Sequence, residues 1–409
     1  MSTAGAALAR RLKVAVVGAS ISNSPDGRER FSIRAHLPAL RKLGDLFELW
    51  AVCTTRMETA SETARQFQVP HAFDDVERML RELPDIDVVC VCVRPVVHHR
   101  VVMAALRAGK HVYCEQPLGI STAEAQQAFD TARLEGVRTV VGHQYHYEPA
   151  VLQMAEMVRN GYIGKPLAFN STYFVSNHIA PRPGHRTWLF QQDACGHPGF
   201  RAAHSLERVI SVLGDVTEVC ADMRVLVPER PNLDGGPPLR TTQANNINFL
   251  MRIGEETVGT MQTCLTAWFG TGWMFQVYGT EGMLLVKVDE GSEGAKNTVK
   301  GDPRHGTLKL YGARVDMARM MANPVAPELL QREFREIPLE AHHYYVTGFD
   351  HGRSTFPVAQ MWHAFAQAIH SGTDCAPSFR DVLKMHYFMD ATERSMRERR
   401  WIAVDYSGL

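Results

Sequence analysis

The stretch His111-Val-Tyr-Cys-Glu-Gln-Pro-Leu-Gly119 decides how the rest of the chain is read. A short apolar segment stops there on a carboxylate, an amide and a proline, directly after the helix-like run 101–109. Open α/β sheets present side chains to ligands at such strand ends. Behind it, Asp87-Val-Val-Cys-Val-Cys-Val93 is a second apolar run, and the helix expected over 99–108 closes on Gly109 as a C-cap. Ahead of it lie a helix expected over 123–135 and a strand over 139–142. Further back, Phe47-Glu-Leu-Trp-Ala-Val-Cys53 reads as a strand followed by a helix over 58–67, and a helix is expected over 32–43. Arg11-Leu-Lys-Val-Ala-Val-Val-Gly18 is a continuous apolar run ending at a glycine, as buried parallel strands do.

Strand and helix patterns thus alternate through residue 142 with short connections, which predicts a doubly wound parallel sheet: a Rossmann dinucleotide-binding domain over 11–142. Residues 1–10 are Ala-rich and are expected to form a disordered leader. A second domain is expected over 143–409, because 409 residues exceed one ordinary core. Its stretch 245–288 alternates in the β manner. Residues 289–342 turn polar and loop-like around a Met-rich helix candidate at 315–321. The stretches 357–371 and 381–397 are amphipathic helices expected to pack on the second domain.

Hydrophobic residues make up 45% and charged residues 22%, as in a globular protein. Lys plus Arg balances Asp plus Glu at 44 each, so no basic excess calls for nucleic acid and the expected partner is a small molecule. No apolar stretch is long enough for a signal core or a membrane span. Eight scattered cysteines without a CxxC pair read as reduced thiols, and a cytoplasmic location is expected. Cys90 and Cys92 alternate within their strand as small hydrophobes. The 18 histidines form no persuasive ligand set, and the adjacent pairs His98-His99 and His342-His343 should point apart, so no metal is expected.

After the first strand, Ala19-Ser-Ile-Ser-Asn-Ser-Pro-Asp-Gly-Arg-Glu-Arg30 does not spell GxGxxG, and only Gly18 stands where that fingerprint wants a glycine. Ser20 and Ser22 supply donors for a pyrophosphate; a polar surface loop reads equally well. After the second strand, Thr54-Thr55-Arg56 stands where an acid would select NAD, and hydroxyls with Arg suit a 2′-phosphate, so NADP is favoured over NAD. The strand ends add Val93, Arg94, His98, Glu115 and Gln116 to the expected cofactor contacts, although packing or capping also accounts for His98. Arg186, Trp188, Asp193 and His197 belong to a Gly- and Pro-punctuated segment rich in donors, with an indole suited to a sugar face, and are expected to bind substrate.

The run Ala105-Leu-Arg-Ala-Gly-Lys-His-Val-Tyr-Cys-Glu-Gln-Pro-Leu-Gly119 resembles the AGKHVxxEKP signature of the glucose-fructose oxidoreductase, inositol dehydrogenase and MocA (Gfo/Idh/MocA) family. Residues 149–166, ending in Gly161-Tyr-Ile-Gly-Lys-Pro166, resemble its second-domain opening helix and turn, and Tyr278-Gly-Thr-Glu-Gly-Met-Leu284 its YGTEG turn. The long first loop running into Ser32-Ile-Arg-Ala-His-Leu-Pro-Ala-Leu40 looks most like the branch containing the fungal galactose-pathway repressor. The resemblance implies a C-terminal α+β domain with a large open, mostly antiparallel sheet, through which a homo-oligomer, dimer or tetramer, is expected. It implies hydride transfer between NAD(P) and a sugar-like or other small hydroxylated or carbonyl substrate.

Two departures from the family pattern bear on chemistry. Gln116 stands at the lysine of EKP, and an amide orients an oxygen but does not titrate. The pattern DxGxHxxD maps onto Phe200-Arg-Ala-Ala-His-Ser-Leu-Glu207, so His204 is kept, Glu207 replaces the later acid and Phe200 replaces the aspartate. His204 is therefore the expected acid/base, with His143, Tyr145 and His146 in Gly142-His-Gln-Tyr-His-Tyr147 as substrate-facing residues able to take over the lysine's proton role. Three readings follow: an oxidoreductase, a non-catalytic dinucleotide-sensing regulator, and a redox-neutral epimerase or lyase.

Overall fold

The computed structural model describes residues 10–21, 30–181, 188–289, 307–322 and 334–409, in two compact units. The expected leader lies outside the described residues except for Arg10, whose guanidinium makes paired bonds to Asp87 (2.6 and 2.9 Å).

The first unit is built on six parallel strands, β1 (Leu12–Val17), β2 (Phe47–Cys53), β3 (His71–Phe73), β4 (Val88–Val91), β5 (His111–Cys114) and β6 (Thr139–Val141). Their order is β3-β2-β1-β4-β5-β6, the Rossmann order, with its switch point between β1 and β4. Every residue of β4 is buried, which explains the unbroken apolar run. Helices follow the strands at Leu37–Lys42, Met57–Phe67, Val76–Glu82, Pro95–Arg107 and Thr122–Glu135. The first is entered through a π-helical turn, Ser32–His36. Gly109, at φ 67°, closes the fourth as expected. The three-residue strand β3 and the helix Val76–Glu82 were not foreseen: so short a strand carries no measurable period.

This unit also takes in residues 345–349 and 354–383. The helix Thr355–Ser371, expected on the second domain, instead buries Phe356, Trp362 and Phe365 here. The Trp362 ring lies 4.5 Å from that of Tyr113 and 5.1 Å from that of Phe47. Amphipathicity says that a helix buries a face, not which surface it buries it against.

The second unit comprises residues 145–344, 350–353 and 384–409. Its main sheet contains β7 (Pro166–Phe174), β8 (Val216–Arg224), β11 (Asn246–Ile253), β12 (Thr257–Cys264), β13 (Gly272–Gly279), β14 (Gly282–Val288), β15 (Leu308–Arg314), β16 (Arg335–Ile337) and β17 (Ile402–Ala403). The pair β9 (Glu229–Arg230) and β10 (Leu239–Arg240) forms a small ribbon apart. The order is β16-β15-β14-β13-β7-β12-β11-β8-β17, antiparallel except where β7 meets β12. One face carries Phe169, Phe249, Trp273 and Phe275 into the core, beneath the helices Pro149–Arg159 and Ala203–Leu213 and the later turns of Phe379–Glu398. The helix Met317–Ala322 falls within the Met-rich stretch. Strands β15 and β16 correct the loop-like reading of 289–342: Leu308 and Leu310 are buried between half-exposed neighbours, a period-two signal.

Candidate functional site

In the first unit the expected cofactor residues gather at the carboxyl ends of the parallel strands. Gly18 follows β1 with φ 91°, and a side chain there would overlap the Cys92 carbonyl oxygen. Only glycine lets the two strand ends approach so closely. Ser20 is buried, while Ser22 lies outside the described residues. Beyond β2, the Thr54 hydroxyl bonds to Thr59 Oγ1 (2.7 Å) and the Arg56 carbonyl (2.8 Å), so Thr54 shapes the turn and leaves Thr55 and Arg56 exposed. Arg94 is exposed beyond β4. Desolvation, then the charges of Arg94 and Arg56, pull the Arg30 guanidinium below its ordinary value, which marks the three arginines as one cationic group. Arg30 was not anticipated, because its loop is polar throughout. The glycine approach and this cationic group suit a dinucleotide with its phosphates.

His98 is 1% exposed, and its two ring nitrogens face the carbonyls of Pro117 (2.6 Å) and Val93 (3.1 Å), in the packing role that the sequence also allowed. Burial lowers its pKa. Val93 and Gln116 are half-buried, and the Gln116-Pro117 peptide is cis. Glu115 is turned inward: its carboxylate accepts from His36 Nε2 at 2.9 Å and fills the space that a side chain at Gly142 would take. His143 is buried at 1% exposure.

In the second unit the 3-10 helix Gln144–Tyr147 and the helix Ala203–Leu213 bring four candidates together. His146 Nδ1 lies 2.6 Å from Glu207 Oε1, and Glu207 is 5% exposed. The Tyr145 ring meets the His204 ring edge-on at 5.4 Å. Arg208, one residue after Glu207, donates from Nε to the His204 carbonyl (3.1 Å) and lies 3.5 Å over the Trp273 ring. Burial brings the Arg208 pKa down to about 10. Glu148, at the start of the helix Pro149–Arg159, is also buried; burial raises its pKa to about 8 against the opposing pull of Arg208. Arg208 and Glu148 went unnoticed as site residues because their partners are distant in the chain, whereas Glu207 stands at the family's later acid.

Of the expected substrate segment, only part lies among the described residues. Arg186 lies outside the described residues, Trp188 is half-buried, and Asp193 is exposed on the short helix Gln192–Cys195. His197 is spent on the C-terminal helix, with Nδ1 2.8 Å from Glu393 and Nε2 3.7 Å from Asp390. These contacts tether the ring to that helix. Phe200 is buried, in keeping with an apolar residue at the family's aspartate. A correction concerns His342 and His343, which do not diverge. On the 3-10 turn Ala341–His343, both face Glu156 Oε2, at 2.9 and 3.2 Å.

A family model described as oxidoreductase family, NAD-binding Rossmann fold, matches residues 12–143, and the GFO/IDH/MocA C-terminal domain matches residues 151–285. The chain belongs to the Gfo/Idh/MocA family. Levoglucosan dehydrogenase of Pseudarthrobacter phenanthrenivorans is 25% identical over 370 residues, covering 85% of this chain and 87% of that protein. A solved structure of levoglucosan dehydrogenase with NADH and levoglucosan superposes with a TM-score of 0.78 at 23% identity, covering 97% of this chain and all of that one. A super-repressor mutant of Gal80p from Saccharomyces cerevisiae reaches 0.76 at 15% identity, over 98% of this chain and 99% of that one. At these identities the structural matches speak for the fold alone, and a fold does not fix a function.

Proposed function

We propose that this protein is an NADP-preferring oxidoreductase acting on a sugar-like or other small hydroxylated or carbonyl substrate, with His146 as its general base. The observation that carries the reading is the part-buried 2.6 Å contact between His146 Nδ1 and Glu207. A carboxylate on Nδ1 holds the proton there and leaves Nε2 as the lone pair, the arrangement an oriented base needs. Bound NADP supplies a hydride acceptor at the nicotinamide ring. In the oxidation direction, His146 Nε2 would take the proton of the substrate hydroxyl as that group becomes a carbonyl. Tyr145 and His204 orient the reacting oxygen. Arg56, with Arg30 and Arg94, supports the preference for a 2′-phosphate; NAD is the alternative cofactor.

Eight cysteines without a disulfide support a cytoplasmic protein, and among the described residues no helix is long and apolar enough to cross a membrane. The outer face of the large sheet supports a homo-oligomer. There Tyr278 and Val258, 41% and 48% exposed, flank Ala168 in register, and Leu250 is 47% exposed nearby.

The test is a panel of sugars, inositols and aldehydes followed by NADPH absorbance, with His146→Ala, His204→Ala and Tyr145→Phe. Turnover lost in His146→Ala with NADPH binding intact is the expected result; turnover unchanged there moves the base elsewhere. A second reading, a dinucleotide-sensing regulator, is favoured by Gln116 and Phe200, neither of which titrates. Tight NADPH binding with no turnover across the panel would select it.

A further inference from the structure

Within the first unit, Cys90 and Cys92 point to the same side of the strand end, with their sulfurs 3.5 Å apart. Cys90 Sγ lies 3.5 Å from His36 Nδ1. One donor atom from each of His36, Cys90 and Cys92 falls within 4.8 Å of the others, and His36 and Cys90 are fully buried. Tetrahedral zinc, with Zn–S about 2.3 Å and Zn–N about 2.0 Å, places two sulfurs about 3.8 Å apart and sulfur and nitrogen about 3.5 Å apart. The Cys90–Cys92 and Cys90–His36 spacings are within a few tenths of an ångström of these, and the Cys92 sulfur lies within 4.8 Å of the His36 donor nitrogen.

The surroundings are those of a metal ligand. His36 Nε2 sits 2.9 Å from the Glu115 carboxylate, and Trp362 Nε1, which can only donate, points at Nδ1 from 3.1 Å. Nδ1 therefore carries the lone pair and Nε2 carries the proton given to Glu115. A carboxylate on the far nitrogen is the usual outer partner of a histidine that ligates through the near one. The lone pair thus faces the thiols, held for the moment by an indole N–H.

We propose that His36 Nδ1, Cys90 Sγ and Cys92 Sγ bind a zinc-like thiophilic divalent cation. Binding releases the two thiol protons to solvent, forms two metal–thiolate bonds and one metal–imidazole bond, and breaks the Trp362–His36 hydrogen bond. A fourth position stays open for water. Because the Cys92 carbonyl is the atom that packs on Gly18, occupancy also alters the strand end offered to the dinucleotide.

The test is titration of the reduced, metal-free full chain with Cd²⁺, read by the thiolate-to-metal charge-transfer absorption and by proton release, followed by competition with Zn²⁺. The expected result is one equivalent bound, two protons released and displacement by zinc. Cys90→Ala and Cys92→Ala should each abolish the band, Cys53→Ala should keep it, and Trp362→Phe should tighten binding at least severalfold by freeing the lone pair. Absence of the band in the unsubstituted, folded chain overturns the proposal without recourse to any variant. So does a band that survives undiminished in both Cys90→Ala and Cys92→Ala.

Discussion

Glu148 makes the stability of this protein depend on pH in a direction opposite to that of most carboxylates. Its side chain is 8% exposed, and burial lifts its pKa to about 8 from an ordinary 4.5, against the attraction of Arg208. Between those two values the folded chain keeps a proton that the unfolded chain has released, so stability falls as pH rises through that window and levels off above it. At about 1.4 kcal/mol per pH unit, the loss is at most about 5 kcal/mol. Glu148→Gln keeps the shape and removes the titration. Melting curves at fixed scan rate, at pH 5, 6.5 and 8, should show the unsubstituted chain losing about 3 °C across the series if half of that ceiling is realised, at an unfolding entropy of about 2.1 cal/mol/K per residue. The Gln variant should lose clearly less and be the more stable of the two at pH 8. Equal losses in the two proteins would refute the assignment of a buried, neutral Glu148.

Three further outcomes follow from the site. Glu207→Gln should lower kcat about tenfold or more, within the range that general acid–base catalysis supplies, while KM and NADPH binding hold; a loss confined to KM would deny Glu207 its role in positioning His146. Arg56→Ala should weaken NADPH about 10- to 100-fold, the value of one charge-assisted hydrogen bond, and NADH by much less, as measured by fluorescence titration. Equal losses would exclude a 2′-phosphate contact. Gly18→Ala, which forces a methyl against the Cys92 carbonyl at positive φ, should destabilise the chain by about 1–3 kcal/mol in denaturant titrations and weaken both dinucleotides.

The Rossmann half was legible because its strands are buried on both faces and read as unbroken apolar runs, such as Val88 to Val91, and because β1 runs into Gly18, whose φ of 91° favours glycine. The large sheet was legible only where alternation was strong, as in β11 to β13. In β15, Lys309 and Tyr311 on the outer side masked Leu308 and Leu310, and a neighbouring polar stretch drew the reading towards a loop. Site residues named by local pattern, Gly18, Arg56, Tyr145 and His204, were within reach of the sequence. Their partners were not: His146 meets Glu207 across 61 positions and His197 meets Glu393 across 196, and no periodicity encodes such pairings. His98 shows the other side of this, a residue placed at a strand end by the sequence whose ring turns into the protein towards the carbonyls of Pro117 and Val93.

The late return of the chain to its first unit has a consequence for biosynthesis. The aromatic seam under β1, β2 and β5 is closed by Trp362 and Phe365, which leave the ribosome more than two hundred residues after β6. Until then Phe47 and Tyr113 have no indole to pack on, and His36 lacks its indole donor. The nascent N-terminal half therefore emerges as an unfinished core awaiting its lid from the other end of the message. Premature stop codons anywhere before residue 355 should yield chains that chaperones retain, even though every strand of the parallel sheet has already been made.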